Sequence, residues 1–387
     1  MGTACIHFCT SKAWGGLELY ACTLMLELKN AGCTVFGVCT RNSKIDQFLS
    51  EHNIRAIYLP SQSVVSPKSI SVLRSTIRDN NVEVLHVHFH KDIWNASLAV
   101  RDDEQKKLFL SIYMGVTKKN DFLHRYIYKR VDAIFTSSLV LNELLPELYP
   151  VSPDKIHFLP YGRYIDHYEH DEIKRTEVRA KYGIMRDEIL VGTMVRIDPG
   201  KGAMDFARSF SYIDPKLRSN IKFLIVGEPT RKGRAKPNES QFEEHCEAYR
   251  RELEAYIAAE KLSDRILLAG FQNDLVGYLS AMDIFVFPSR DELYSLVVLD
   301  AMCMGLPVVA ARAGGNLRQI DEGANGLLYD VADSKDLAAK LIQYVQHPSL
   351  RKRHGETARA FVEHRHSMTN TITQLLQFYQ SKRTISS

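Results

Sequence analysis

Short apolar segments alternate with longer amphipathic ones along most of this chain, and the alternation restarts once. Residues 4–9, 34–40, 84–89, 108–113 and 133–137 are apolar runs of strand length, with helical patterns over 17–30, 43–51, 67–80 and 121–130. The same order returns at 189–195, 222–226, 266–269, 284–287 and 307–311, each run followed by turn residues and a helical pattern. Strands covered on both faces read as continuous apolar runs, and strand–helix–strand order requires parallel neighbours joined by crossovers. The expected fold class is therefore α/β, with two doubly wound parallel-sheet domains. A polar stretch over about 164–187 separates the halves, and its charge run Asp166-His167-Tyr168-Glu169-His170-Asp171-Glu172 reads as a solvated surface helix. The expected boundaries are 1–165 for the first domain, 166–362 for the second, and 363–387 for a terminal helix with a polar tail.

Composition removes several function classes. With 387 residues the chain is long enough for two cores. Fifty Lys and Arg against 46 Asp and Glu leave a formal charge of +4, too weak a bias for a dedicated nucleic-acid binder. Five of the seven cysteines precede residue 40 and sit in apolar runs such as Cys5-Ile6-His7-Phe8-Cys9, without a Cys-x-x-Cys. They read as buried thiols of a reducing compartment, not as a disulfide frame or zinc site. The longest apolar run, 296–311, is interrupted by Asp300, and the N-terminus opens on a strand pattern instead of a signal peptide. A cytoplasmic chain is expected, with peripheral contact at the inner face of a membrane left open.

Three constellations carry chemistry. In the first, the strand ending at Phe287-Pro288 leads through Arg290-Asp291-Glu292-Leu293-Tyr294 into a helix starting near Ser295. Ligands of open α/β sheets bind outside the carboxyl ends of the strands, and free amides at Ser295, Leu296 and Val297 would face an anion there. Glu292 and Asp300, eight positions apart, could accept hydrogen bonds from hydroxyls flanking a diphosphate. In the second, Arg196 and Lys201 sit on the tight turn Val195-Arg196-Ile197-Asp198-Pro199-Gly200-Lys201-Gly202 and suit a diphosphate's charge. In the third, Trp14-Gly15-Gly16-Leu17-Glu18 forms the first strand-to-helix turn, where glycines permit close backbone approach. It is not a Gly-x-Gly-x-x-Gly dinucleotide fingerprint. Phe271 and Gln272 follow another strand end, where the ring could stack on a base or belong to the core. His86, His88 and His90 alternate so that a strand would put them on one face; no Asp-x-Asp occurs. Lys106, Lys107, Lys118, Lys119, Arg125, Lys129 and Arg130 gather near Tyr113, Phe122, Tyr126 and Tyr128, as a solvated face or as a dock for an anionic acceptor or membrane.

Taken together these motifs resemble the retaining glycosyltransferases of family 4, with the GT-B fold. The resemblance runs from Gly15-Gly16 through Arg196 and Lys201 to the Glu-x7-Glu region, here Glu292 and Asp300, and the Asn325-Gly326-Leu327-Leu328 turn. It implies two Rossmann-like domains facing across a cleft, with the final helix returning to the first. It implies that Arg196 and Lys201 hold the donor diphosphate, that Glu292 touches the donor sugar, that Asp300 holds the ribose and that Phe271-Gln272 lies near the base. The implied activity is transfer of a sugar from a UDP- or GDP-sugar to a glycan or lipid-linked acceptor, as in lipopolysaccharide, capsule or other surface polysaccharide synthesis, without cofactor or required metal. Gly15, Gly16 and Glu18 would belong to the substrate site. Where many members carry His-Gly, this chain reads Ile112-Tyr113-Met114-Gly115, leaving His88, His90 and His124 as substitutes. A non-catalytic sugar-nucleotide-binding or partner subunit, an epimerase and a phosphorylase are the alternative readings on the same fold.

Overall fold

The computed structural model describes residues 2–61, 63–113, 115–232 and 241–381. Met114 therefore lies outside the described residues. The chain forms two compact units, Met1–Gly162 with Thr369–Ser387, and Arg163–Met368. The first holds β1 (Ala4–Phe8), β2 (Thr34–Val38), β3 (Arg55–Ile57), β4 (Val84–Val87), β5 (Lys107–Ile112), β6 (Ala133–Thr136) and β7 (Ile156–Phe158), in the order β3-β2-β1-β4-β5-β6-β7. The second holds β8 (Ile189–Met194), β9 (Ile221–Val226), β10 (Ile266–Gly270), β11 (Ile284–Phe287), β12 (Val308–Ala311) and β13 (Gly326–Tyr329), in the order β10-β9-β8-β11-β12-β13. All neighbouring strands pair in parallel. Both are doubly wound α/β units, because each strand order reverses once beside its central strand.

The central strands are the continuous apolar runs of the sequence; β1, β4, β6, β11 and β12 are buried at every residue. The edge strands β3 and β7 have three residues each and are partly exposed, so their sequences carry no such run. The stretch Gly326-Leu327-Leu328, expected as a turn, is instead strand β13 paired with β12. All seven cysteines are buried and unpaired, and burial pushes the Cys22 and Cys39 thiols up to about 12.

The polar stretch is not a simple solvated helix. Asp171 caps the helix Glu172–Lys181 by accepting the Lys174 amide at 3.0 Å. The same helix turns Arg175 and the buried Arg179 inward onto Asp283, at 2.8 and 3.2 Å, and Asp283 also accepts the Leu190 amide. Guanidinium groups replace an apolar stripe here, which is why the periodicity gave no sign of burial.

The helix Met368–Gln380 is counted, from Thr369 on, with the first unit, and a buried chain of hydrogen bonds fastens it there. Ser111 Oγ lies 2.8 Å from His86 Nε2, His86 Nδ1 lies 2.6 Å from the Tyr379 hydroxyl, and that hydroxyl lies 3.1 Å from His7 Nε2. The chain continues from His7 Nδ1 to His88 Nε2 at 2.8 Å and from His88 Nδ1 to Tyr113 at 2.9 Å. Three neutral imidazoles satisfy every one of these bonds in a single direction, each donating at one nitrogen and accepting at the other. Burial lowers the His7 pKa to about 3 and pushes His86 and His88 well down. His90, the third residue of the alternating set, is elsewhere, 2.6 Å from the Tyr149 hydroxyl.

The sign of the pH dependence follows. Below about pH 6.5 the unfolded chain takes up protons that the folded histidines refuse, so stability falls as pH drops, by up to about 1.4 kcal/mol per pH unit for each such group. Melting temperatures of the full chain should fall between pH 7.5 and pH 5. Tyr379→Phe should lower them at both pH values, since it strips two buried ring nitrogens of their partner at roughly 1–3 kcal/mol each. An unchanged melting point in that variant would remove the chain's structural role.

Candidate functional site

In the second unit, the loops that follow β8, β9, β11 and β12 converge and lock one another. The β8 loop carries Arg196 and Lys201. Gly200 and Gly202 in it have φ of +85° and +77°, and a side chain at Gly202 would meet the Pro288 carbonyl at 2.1 Å. That close approach brings the β11 loop alongside, and the Arg290 amide donates to the Gly200 carbonyl at 2.9 Å. The Arg290 guanidinium grips Asp205 through both of its oxygens, at 2.7 and 2.8 Å. On the other side, Gly315 donates its amide to the Glu292 carbonyl at 2.7 Å, and a side chain at Gly314 would strike the same carbonyl.

This framework sets Lys201 Nζ 2.5 Å from Glu292 Oε1, both side chains about a quarter exposed. Ser289 Oγ donates to the same oxygen at 3.3 Å. Arg196 extends over the β9 loop, where its guanidinium donates to Thr230 Oγ1 at 2.6 Å and lies 3.4 Å from Asp198. Asp198 accepts the Thr230 amide and hydroxyl at 2.9 and 2.6 Å. Burial works to raise the Asp198 carboxyl, but those hydrogen bonds and Arg196 hold it below its ordinary range. Two cations and two carboxylates thus stand at the carboxyl edge of one parallel sheet, the side where ligands of such sheets bind. Asp198, Thr230, Asp205 and Ser289, which brace the expected residues, were not singled out from sequence; three are short polar side chains in strand-end turns, and Asp205 lies on the helix Ala203–Ser209.

Two expectations about the β11 helix need correction. It spans Leu296–Cys303 with Ser295 as its cap, but the Ser295 amide is not free, because it donates to Gln319 Oε1 at 3.0 Å while Gln319 donates back to the Ser295 carbonyl. Of the three expected amides, Leu296 and Val297 have no acceptor among the described residues, as the first turn of a helix dictates. Asp300, expected to accept hydrogen bonds from ligand hydroxyls, is buried at 7% exposure, with the Arg163 guanidinium 2.7 Å and the Tyr168 hydroxyl 2.6 Å from the same oxygen. Burial pushes its carboxyl up against the opposing pull of those partners.

Of the remaining expected residues, two lie on another loop of the second unit and the others belong to the first unit. Phe271 is 59% exposed on the loop after β10, and Gln272 folds back onto the Ala269 carbonyl at 2.6 Å. In the first unit, Gly15 caps the helix Gly16–Asn30, and the buried Glu18 is taken up by its own loop, accepting from Ser11 Oγ at 2.5 Å and the Gly15 amide at 3.0 Å. His88 belongs to the buried chain described above, and His124 is held by Asp121 at the start of the helix Phe122–Tyr128. The basic group breaks up: Lys107 donates to the Tyr379 carbonyl, and Arg130 to the Val100, Asp103 and Lys106 carbonyls and to Asp132.

The Asp300 geometry gives a distinct expectation. Asp300→Asn leaves the Arg163 guanidinium buried without its countercharge, at a cost of about 3–5 kcal/mol. Urea unfolding should show that loss, while UDP affinity measured on the folded protein stays within a factor of about two. Weakened UDP binding at undiminished stability would instead make Asp300 a ligand residue.

Comparisons with known proteins bear on the family and the fold. Residues 174–361 match the model for glycosyl transferases group 1, and residues 14–166 match that for glycosyltransferase family 4. A D-inositol 3-phosphate glycosyltransferase of Saccharomonospora viridis is 27% identical over 66% of this chain and 56% of its own length. An N-acetyl-alpha-D-glucosaminyl L-malate synthase of Bacillus anthracis is 23% identical over 80% of this chain and 77% of its own. The chain spans about half the length of the first curated relatives it matches. Anabaena HepE, solved in complex with UDP, superposes with a TM-score of 0.80 at 17% identity, covering 97% of this chain and 99% of that one. The paired α/β units and the two family matches, which follow one another along the sequence, make this chain a member of glycosyltransferase family 4, with the GT-B fold.

Proposed function

We propose that the protein transfers a sugar from a nucleotide diphosphate sugar to an acceptor hydroxyl, with retention at the anomeric carbon. The observation that carries this reading is the Lys201–Glu292 pair at the ends of parallel strands, with Arg196 on the same loop as Lys201. Arg196, Lys201 and the Leu296 and Val297 amides supply positive potential where a departing diphosphate gains charge. Their fixed positions avoid reorganisation during bond cleavage, and two cations take the role that a bound metal fills in other transferases. Glu292 neutralises Lys201 before the donor arrives and accepts hydrogen bonds from sugar hydroxyls afterwards. The solved complex of HepE with UDP supports a uridine donor, and relatives named for D-inositol 3-phosphate, L-malate and, in Escherichia coli, GlcNAc-diphosphoundecaprenol point to small or lipid-linked acceptors. A role in surface polysaccharide or lipopolysaccharide synthesis is the pathway this reading favours, with the chain at the cytoplasmic side of a membrane. No helix among the described residues is long and apolar enough to cross one.

The test is nucleotide release from a panel of UDP- and GDP-sugars, with product anomers assigned by NMR. Release should persist in EDTA, and the product should keep the donor's anomeric configuration. Lys201→Ala and Arg196→Ala should each lower kcat/KM by about 10²–10³. Unchanged turnover in both variants would remove the assigned roles. Isomerised donor without acceptor would identify an epimerase, and consumption of phosphate a phosphorylase.

A further inference from the structure

The first unit carries a second set of cations that the donor site does not use. A cavity of about 370 Å³ opens at the carboxyl ends of β1, β2 and β4 and beside the chain that follows β3. It is lined by Lys12 after β1, Arg41 after β2 and Lys91 after β4, with Thr10, Thr40 and Asn95 among its polar walls. The strand order reverses between β1 and β4, so the cavity lies along the crevice where the crossovers part to opposite faces of the sheet.

None of these three cations has a carboxylate countercharge: among the described residues no carboxylate lies within ion-pair distance of Lys12, Arg41 or Lys91, whereas elsewhere in the unit Arg74, Arg78 and Arg130 have one. The nearby acids are already engaged. Asp92 is buried in the wall, and its two oxygens accept the Thr10 amide at 2.9 Å and the Thr10 hydroxyl at 2.5 Å. Asp46 accepts the Tyr58 hydroxyl at 2.8 Å and the Asn42 amide at 2.7 Å. Arg41 is also oriented, its guanidinium stacked 4.2 Å from the centre of the Tyr58 ring, which leaves its N–H edge for an anion. Thr40 Oγ1 donates to the Thr10 carbonyl at 2.8 Å and ties the β1 and β2 loops into one rim.

We infer that this cavity is an anion pocket that takes a phosphate-bearing head group, and that it gives the acceptor its charge class. Three cations from three loops around a polar rim match a phosphate oxygen set better than a neutral sugar, which has no charge to answer theirs. The acceptor assignment rests on the transferase reading above; the phosphate specificity of the cavity does not. The phosphate has two sources, a soluble sugar or polyol phosphate and a lipid phosphate head group.

Calorimetric titration of the full chain separates these cases. The probes are glucose 6-phosphate, glucose, vesicles containing phosphatidylglycerol, vesicles of phosphatidylcholine alone, and UDP as the control for the second unit. Glucose 6-phosphate or the phosphatidylglycerol vesicles should bind and their neutral or zwitterionic counterparts should not. Lys12→Ala, Arg41→Ala and Lys91→Ala should each weaken the phosphate probe by roughly tenfold. UDP affinity should be unchanged, and an unchanged thermal unfolding profile shows that the first unit of each variant folds. Phosphate binding confined to glucose 6-phosphate identifies a soluble source, and binding confined to the vesicles a lipid one. A chain that binds UDP but binds neither phosphate probe overturns the inference, as does a probe affinity untouched by all three substitutions. Phosphate binding without UDP binding would uphold the pocket and sink the donor assignment instead.

Discussion

All neighbouring strands in both units run parallel, and this one constraint fixes where chemistry can be placed. A parallel strand is followed by a crossover, so the loops leaving the strand ends emerge on a single edge of the sheet. Loops so crowded must be held apart and in register. In the second unit that is done by backbone contact: the Arg290 amide meets the Gly200 carbonyl, and the Gly315 amide meets the Glu292 carbonyl. Both contacts depend on glycine, since Gly202 and Gly314 pack so closely against the β11 loop that a Cβ atom would fall about 2 Å from a carbonyl oxygen. The side chains of Lys201 and Glu292 inherit their positions from these main-chain bonds.

The basic residues of this protein meet different fates, decided by the company each keeps. Arg163 and Arg179 are drawn inward by Asp300 and Asp283, and there they serve packing. Lys201 is paired at partial exposure, where the attraction to Glu292 is modest and a more highly charged ligand can compete for it. Lys12, Arg41 and Lys91 face a cavity without a carboxylate partner. Net charge averages over all three conditions, which is why +4 says little about anion binding here.

The fold was largely legible because buried parallel strands must be apolar throughout. Strands β3 and β7 escaped because three residues at a sheet edge need not be. For the site, the sequence placed Arg196, Lys201 and Glu292 in strand-end turns, and the structure brings Lys201 and Glu292 together. It could not reveal that Gln319 would take the Ser295 amide or that Arg163 would take Asp300, since those partners lie 24 and 137 positions away along the chain. Helical spacing locates a residue on a helix but does not say which face another segment will cover. Glu18 shows the same limit: a carboxylate next to a glycine turn can hold a ligand or hold the turn, and here Ser11 and Gly15 claim it.

The histidine chain raises a different question, namely why a unit with so apolar a core should dock its last helix through polar groups. Apolar side chains alone would bury comparable area, but they would tolerate rotation of the helix about its axis. The Tyr379 hydroxyl must meet two ring nitrogens at once, His86 Nδ1 and His7 Nε2. A shift of one residue would turn that hydroxyl by about 100° and leave both nitrogens unpaired in the core. The directional run from Ser111 to Tyr113 therefore admits one register for the helix. Lys107 reinforces the same register by donating to the Tyr379 carbonyl at 2.6 Å, at the end of the helix where a cation is favoured. Protonation of any ring would set one donor against another, so the device that selects the register also makes it depend on pH.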